Sequence, residues 1–180
     1  MSGKNTQTVL AVDLDNTLIK TDMIVVGLKF LLLHKLYYLP KLAWLFIFKG
    51  KTHAKQFLYL TTHFSISSIN FNQSVINFIK TNKKKYSSTI LISGSYYEYV
   101  DAFARHLDLF DYSAGTTLEI NMVGLNKVKY LRQFFDDSQF DYIGDSKKDI
   151  PIWENARNSY VVNDNNVSNY IKHIDHTIIN

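Results

Sequence analysis

The sequence predicts an α/β fold: a three-layer α/β/α core around a mostly parallel sheet, with a helical segment inserted after the first strand. Three observations carry that prediction. Short apolar runs alternate with stretches of helical spacing, the pattern of a parallel sheet covered on both faces. Polar residues (Asp13, Ser93 and Asp145) fall at or just past the ends of three of those runs, where open α/β sheets gather their functional groups. One long stretch rich in Leu, Phe and Tyr offers no strand at all.

The first strand is expected over Thr8 to Asp13, an apolar run with β-branched residues and no helix caps. Met23 to Ile69 then leaves the alternation. Pro40 and Gly50 are natural breaks in it, which predicts three short helices. A membrane-spanning helix needs about 20 mostly apolar residues, and Lys29, His34, Lys35, Pro40 and Lys41 interrupt this run. Two readings stay open for it: a cap with its own small core, and a surface that enters the lipid interface with its lysines near the headgroups. Helical spacing returns at Ser74 to Lys84, where Val75, Ile76, Phe78 and Ile79 share one side. A strand at Ser88 to Ser93, helices at Tyr96 to Leu107 and Lys127 to Phe135, and strands at Phe140 to Gly144 and Ser159 to Asn163 follow. The Asn-rich VVNDNNVSN reads as a loop. The expected division is a core of 1–22 and 70–180 with a cap of 23–69.

Composition excludes several chemistries. The chain has 180 residues and 46% hydrophobic content, enough for one domain with a real core. It has no cysteine, so thiolate nucleophiles, disulfides and Cys-based zinc sites are ruled out. The net charge of +4 suits an anionic substrate or an acidic membrane surface. Lys83-Lys84-Lys85 is the one tight basic run and reads as the solvated end of a helix, so no nucleic-acid partner is expected. The six histidines show no metal-ligand spacing such as HExxH. The polar start, MSGKNTQ, carries no secretory signal, which predicts a cytoplasmic protein, or one peripheral to the inner face of the membrane.

Asp13 and Asp15 are the candidate chemistry. Two carboxylates so close push their pKa values apart, so one can be ionised while the other is protonated. Asp13-Leu14-Asp15-Asn16-Thr17, Ser93-Gly94-Ser95 after a strand, Lys127 opening a helix, and Gly144-Asp145-Ser146-Lys147-Lys148-Asp149 after another strand occur in that order. The ordered set resembles the haloacid-dehalogenase (HAD) phosphatase superfamily. The resemblance implies a HAD-like Rossmannoid core and a Mg²⁺-dependent phosphatase that works through an aspartyl-phosphate. It implies Asp13 as nucleophile and Asp15 as general acid and base. It gives the metal to carboxylates of Asp13 and Asp145 and the backbone carbonyl of Asp15, with Asp149 as a direct or outer ligand. Ser93 and the Gly94 N–H would hold the phosphoryl group, Lys127 (with Lys129 as the alternative) would neutralise it, and Thr17 would fix the turn. The family usually has Gly where this chain has Asn16, the next most tolerant residue for a left-handed conformation. Asp149 can at the same time cap the helix before Pro151.

GLNKVKYLRQFFDDSQFDYIGDSKKDIPIWENARNSYVVN is further similar to the phosphatase domain joined to UbiA-type prenyltransferases, as is the long Leu- and Lys-rich insertion. That similarity implies a prenyl- or sugar-linked phosphate as substrate, and a stand-alone or excised version of such a domain. The alternatives are a small-metabolite phosphatase similar to phosphoserine phosphatase, and a non-catalytic module bound to a membrane or a prenyltransferase.

Overall fold

Along β1 (Thr8–Val12), Leu10 and Val12 face one side of the sheet and Val9 and Ala11 the other, because successive side chains of a strand alternate. Both sets are buried, so the strand is central and needs a helical layer on each face. The computed structural model describes residues 8–135, 139–162 and 167–180. MSGKNTQ, the end of the expected fourth strand at Asn163 and the middle of the expected Asn-rich loop (163–166) lie outside the described residues.

Six parallel strands make one sheet: β1, β2 (Ser88–Tyr96), β3 (Tyr112–Thr116), β4 (Gln139–Gly144), β5 (Ser159–Val162) and β6 (His176–Ile179). Their order is β3-β2-β1-β4-β5-β6. Strand order reverses between β1 and β4, and such a switch point opens a crevice beyond the carboxyl ends of those strands. One layer is formed by α4 (Gln73–Asn82) and α5 (Tyr97–Leu107), which bury Val75, Ile79, Val100 and Phe103 on Leu10, Val12 and Leu91. The other is formed by α6 (Leu125–Phe134) and the short α7 (Ile150–Trp153), which bury Val128, Leu131 and Trp153 on Val9, Ala11 and Tyr142. The mostly parallel α/β sandwich read from the sequence is the observed fold.

Three helices stand in the insertion: α1 (Met23–His34), α2 (Leu39–Phe48) and α3 (Lys51–Thr61). Pro40 lies in the first turn of α2, where its missing N–H costs no hydrogen bond. Gly50 separates α2 from α3 at φ 89°, a conformation glycine accepts. Leu31, Leu42, Ala54, Phe57 and Leu58 give this segment a small core of its own. Its two connections are clasped together, with Lys20 N–H donating to Asn70 O (2.8 Å) and Asn72 N–H to Leu18 O (2.9 Å).

Two strands were missed in the sequence. β3, YSAGT, lacks an aliphatic run, and β6, HTII, is a short strand at the sheet edge. β2 also runs past Ser93 to Tyr96, with an irregular register beyond Ile92. The expected Lys127 start of α6 moves to Leu125. The three lysines form a short turn after α4, with Lys83 Nζ donating to Leu109 O at 3.0 Å.

Candidate active site

The chain leaves β1 through a wide turn in which Ile19 N–H bonds back to Leu14 O (3.0 Å). Asn16 takes φ 55° there, the left-handed conformation that motivates Gly or Asn. The turn aims Asp13 and Asp15 at different neighbours. Asp13 Oδ1 accepts from Leu14 N–H (2.9 Å) and from Lys127 Nζ (2.9 Å). Asp15 Oδ1 accepts from the Met23 N–H (2.8 Å), and its Oδ2 from the hydroxyls of Ser93 (3.0 Å) and Ser95 (2.6 Å). Asp15 and Asp22, whose Oδ1 takes the Ile24 N–H (2.7 Å), thus satisfy free donors at the start of α1. The general-acid candidate is thereby tied to the first helix of the insertion.

β4 delivers the second acidic pair. Its final residue, Gly144, has no room for a side chain: a Cβ would lie 2.7 Å from Tyr142 and 2.9 Å from the Asp149 carboxylate. Asp145 Oδ1 accepts from Thr17 Oγ1 (3.1 Å). Asp149 Oδ2 accepts from Ser146 N–H and Oγ (both 3.1 Å), and Ser146 and Asp149 close a reciprocal capping box. Asp149 Oδ1 accepts from Tyr142 O–H (2.7 Å) and lies 3.5 Å from Lys127 Nζ. Asp13, Asp145 and Asp149 each offer a carboxylate oxygen within 4.8 Å of the others.

Lys127 is 3% exposed on the first turn of α6, while Lys129 faces solvent. Its Nζ also donates to Tyr142 Oη at 2.7 Å. Burial works against its charge, but the carboxylates of Asp13 and Asp149 outweigh that effect and hold its pKa above the ordinary lysine value. Asp13, Asp15 and Asp145 are pushed up as well, toward their neutral forms. Burial raises Asp13 to about 8, against the pull of Lys127 and with added repulsion from Asp149 and Asp15. Burial and Asp149 raise Asp145 to about 6. Burial and Asp22 raise Asp15, which its serine and backbone donors partly offset.

A cleft of about 110 Å³ opens over this group, lined by Asp13, Asp15, Lys127 and Asp145 and by Gly94 and Ser95 at the end of β2. Ser93 lies beneath it, fully buried, donating to Asp15 and accepting from Ser95 N–H (3.0 Å). Thr17 is also fully buried and meets Asp145. Sequence reasoning missed Lys55 altogether. From α3 its Nζ crosses to Gly94 O and Asn121 Oδ1, both at 2.6 Å, and it lines the cleft. Burial lowers its pKa to about 8. Nothing in the local pattern KTHAKQF marks that lysine; only packing of the insertion on the core selects it.

No family model matches the chain. It is 28% identical over 157 residues to the uncharacterized protein y4nM of Sinorhizobium fredii, covering 86% of this chain but only 30% of that one. Among solved structures, a protein of unknown function from Bordetella pertussis Tohama I superposes with TM-score 0.74 at 14% identity, covering 98% and 99% of the two chains. A phosphoserine phosphatase in apo form gives TM-score 0.69 at 13% identity, covering 97% and 94%. The HAD family hydrolase t0658 of Salmonella enterica serovar Typhi gives 0.63 at 15%, covering 90% and 65%. The fold of this chain is that of the haloacid-dehalogenase-like hydrolases.

Proposed function

We propose that this chain is a magnesium-dependent phosphate monoester hydrolase that works through an aspartyl-phosphate at Asp13. One observation carries the reading: two strand ends bring three carboxylates to one point, with a single buried lysine from a third segment against them. The donor set fits a hard divalent cation, because carboxylate oxygens within 4.8 Å of one another match what Mg²⁺ prefers. Asp13 and Asp145 would hold that ion, and Asp149, already engaged by Tyr142 and Ser146, would steady it from behind. The metal, when bound, supplies positive charge that offsets repulsion between the nucleophile and the phosphoryl oxygens.

Asp13 then attacks phosphorus, the P–O bond to the alcohol breaks, and Asp15 gives its proton to the leaving oxygen. Burial and Asp22 raise the pKa of Asp15, the direction that favours the protonated form a general acid needs. In the second half Asp15 takes a proton from water as the water attacks phosphorus, which releases phosphate and restores Asp13. Lys127 fixes the Asp13 carboxylate and adds charge stabilisation. Ser95, with Ser93 beneath it, orients Asp15. Hydrolysis of p-nitrophenyl phosphate tests the reading. Turnover should require Mg²⁺, stop with chelator, and fall to background in Asp13→Asn; full activity in that variant, or none in the wild type, contradicts it. A non-catalytic module shows no turnover at any concentration.

A second reading, that the insertion rests on a lipid surface, is favoured by its outer face. Leu33, Tyr37, Ile47 and Phe48 are 68–77% exposed, with Lys29, Lys41 and Lys49 exposed nearby. No single helix among the described residues is long and apolar enough to cross a membrane; the pair Met23–His34 and Leu36–Phe48 qualifies only together, bent by 119°. The similarity to domains joined to membrane-bound prenyltransferases agrees with this reading. Co-sedimentation with anionic vesicles that is lost in the double variant Ile47→Glu, Phe48→Glu supports it; no sedimentation of the wild type refutes it.

A further inference from the structure

A second and larger cavity, of about 610 Å³, opens beside the catalytic cleft, within the roughly 300–1,000 Å³ that small-molecule sites occupy. All three helices of the insertion build it: Leu28 from α1, Leu39, Leu42 and Phe46 from α2, and Leu58 from α3. Ile24, Lys55, Val123 and Lys148 border both this chamber and the cleft, so the two spaces adjoin. The polarity is graded. At the shared wall stand Lys55 and Lys148, cations suited to an anionic ester group. Beyond them the wall is almost wholly aliphatic and aromatic, with Lys51 and Asn121 the other polar members.

We infer that the chamber receives the apolar tail of the ester whose phosphate sits at Asp13. The substrate class is then the monophosphate of an alkyl or isoprenoid alcohol, not of a sugar or an amino acid. This deepens the phosphatase reading and rests on it. The hydroxyls of a sugar would enter a wall that gives them few partners, and a desolvated, unpaired hydroxyl opposes binding. A methylene entering the same wall gains about fourfold in affinity. Lys55 marks the boundary: its ammonium is held by Gly94 O and Asn121 Oδ1, and the residue lines both spaces.

The test is calorimetric binding of an alkyl phosphonate series, from ethyl to decyl, to the wild-type protein with Mg²⁺, below micelle-forming concentrations. Phosphonates are not hydrolysed, so the result is independent of turnover. Affinity should rise about fourfold per methylene before it levels off. Ala43→Trp places an indole in the chamber from an exposed helical position and should abolish most of that rise. Equal affinity for ethyl and decyl phosphonate overturns the inference, as does a full tail effect in Ala43→Trp, which would put the tail elsewhere. A second copy of the chain filling the chamber would make decyl phosphonate affinity fall as protein concentration rises, and that too overturns it. A tail effect without hydrolysis of any monoester leaves the chamber standing and removes the phosphatase reading instead.

Discussion

Asp141 on β4 and Asp13 beyond β1 are both buried and belong to neighbouring strands, yet they are treated in opposite ways. Asp141, at the amino end of the sheet, receives a two-pronged contact from Arg157 (Nε and Nη2, both 2.9 Å), the Tyr86 hydroxyl (2.8 Å) and the Asn158 amide (3.1 Å). One negative charge meets one positive charge, and neutral donors fill the remaining lone pairs. At the carboxyl end, Asp13, Asp145 and Asp149 share one buried lysine, with Asp15 alongside. A buried carboxylate matched by one half-exposed cation and by neutral donors is what a fold tolerates. Burial, with carboxylate neighbours adding to it, raises the pKa values of Asp13, Asp15 and Asp145 and suits a place where another positive charge belongs.

Five experiments break or sharpen that contrast. Asp15→Asn should lower kcat for alkyl phosphates by about 10²–10⁴-fold, and far less for p-nitrophenyl phosphate, whose leaving group needs no proton. Steady-state kinetics on both esters checks it. Arg157→Ala should cost about 1–3 kcal/mol of stability, because it removes the cation from a buried carboxylate that keeps its Tyr86 and Asn158 donors, while the folded fraction keeps its kcat; urea denaturation and kinetics separate the two. Mg²⁺ at a hundredfold excess over its Kd should stabilise the wild type by about 2.7 kcal/mol. Asp145→Asn should lose that gain, yet in metal-free buffer at high pH it should be the more stable protein by about 1 kcal/mol, since it removes a disfavoured charge.

The pH dependence has a definite sign. Asp145 at about 6 and Asp13 at about 8 hold protons that an unfolded chain releases near pH 4. Over that interval the folded state binds more protons, so metal-free stability falls as pH rises from about 4 toward 8. Thermal melts across that range should show the fall, and Mg²⁺ should protect more at the upper end. The smallest effect is at Asn16: Gly should be nearly neutral, and Ala should cost about 1 kcal/mol for the left-handed backbone.

The contrast between the two clusters was half legible in the sequence. Asp13, Asp145 and Asp149 stand at or just past the ends of apolar runs, and strand ends converge by topology alone. Lys127 was readable because helical spacing begins there after a turn, although the helix itself starts at Leu125. Lys55 and Tyr142 were not: one depends on how the insertion docks, the other on a strand residue reaching across its own cluster. Ser95 was visible in Ser93-Gly94-Ser95, but extension of β2 past Ser93 is what turns it toward Asp15. β3 escaped notice because Gly115 is kept small by helix α5, where a Cβ would lie 2.7 Å from Tyr97 Cα. That demand comes from packing, not from strand propensity.

The nucleophilic role of Asp13 is tested most directly by chemical trapping during turnover. Borohydride added to protein reacting with substrate and Mg²⁺ reduces an acyl phosphate to an alcohol, converting the aspartate that carries it to homoserine. Peptide mass spectrometry should find homoserine at position 13 alone, dependent on substrate. Steady turnover with position 13 unmodified, or reduction at another carboxylate, would contradict the account.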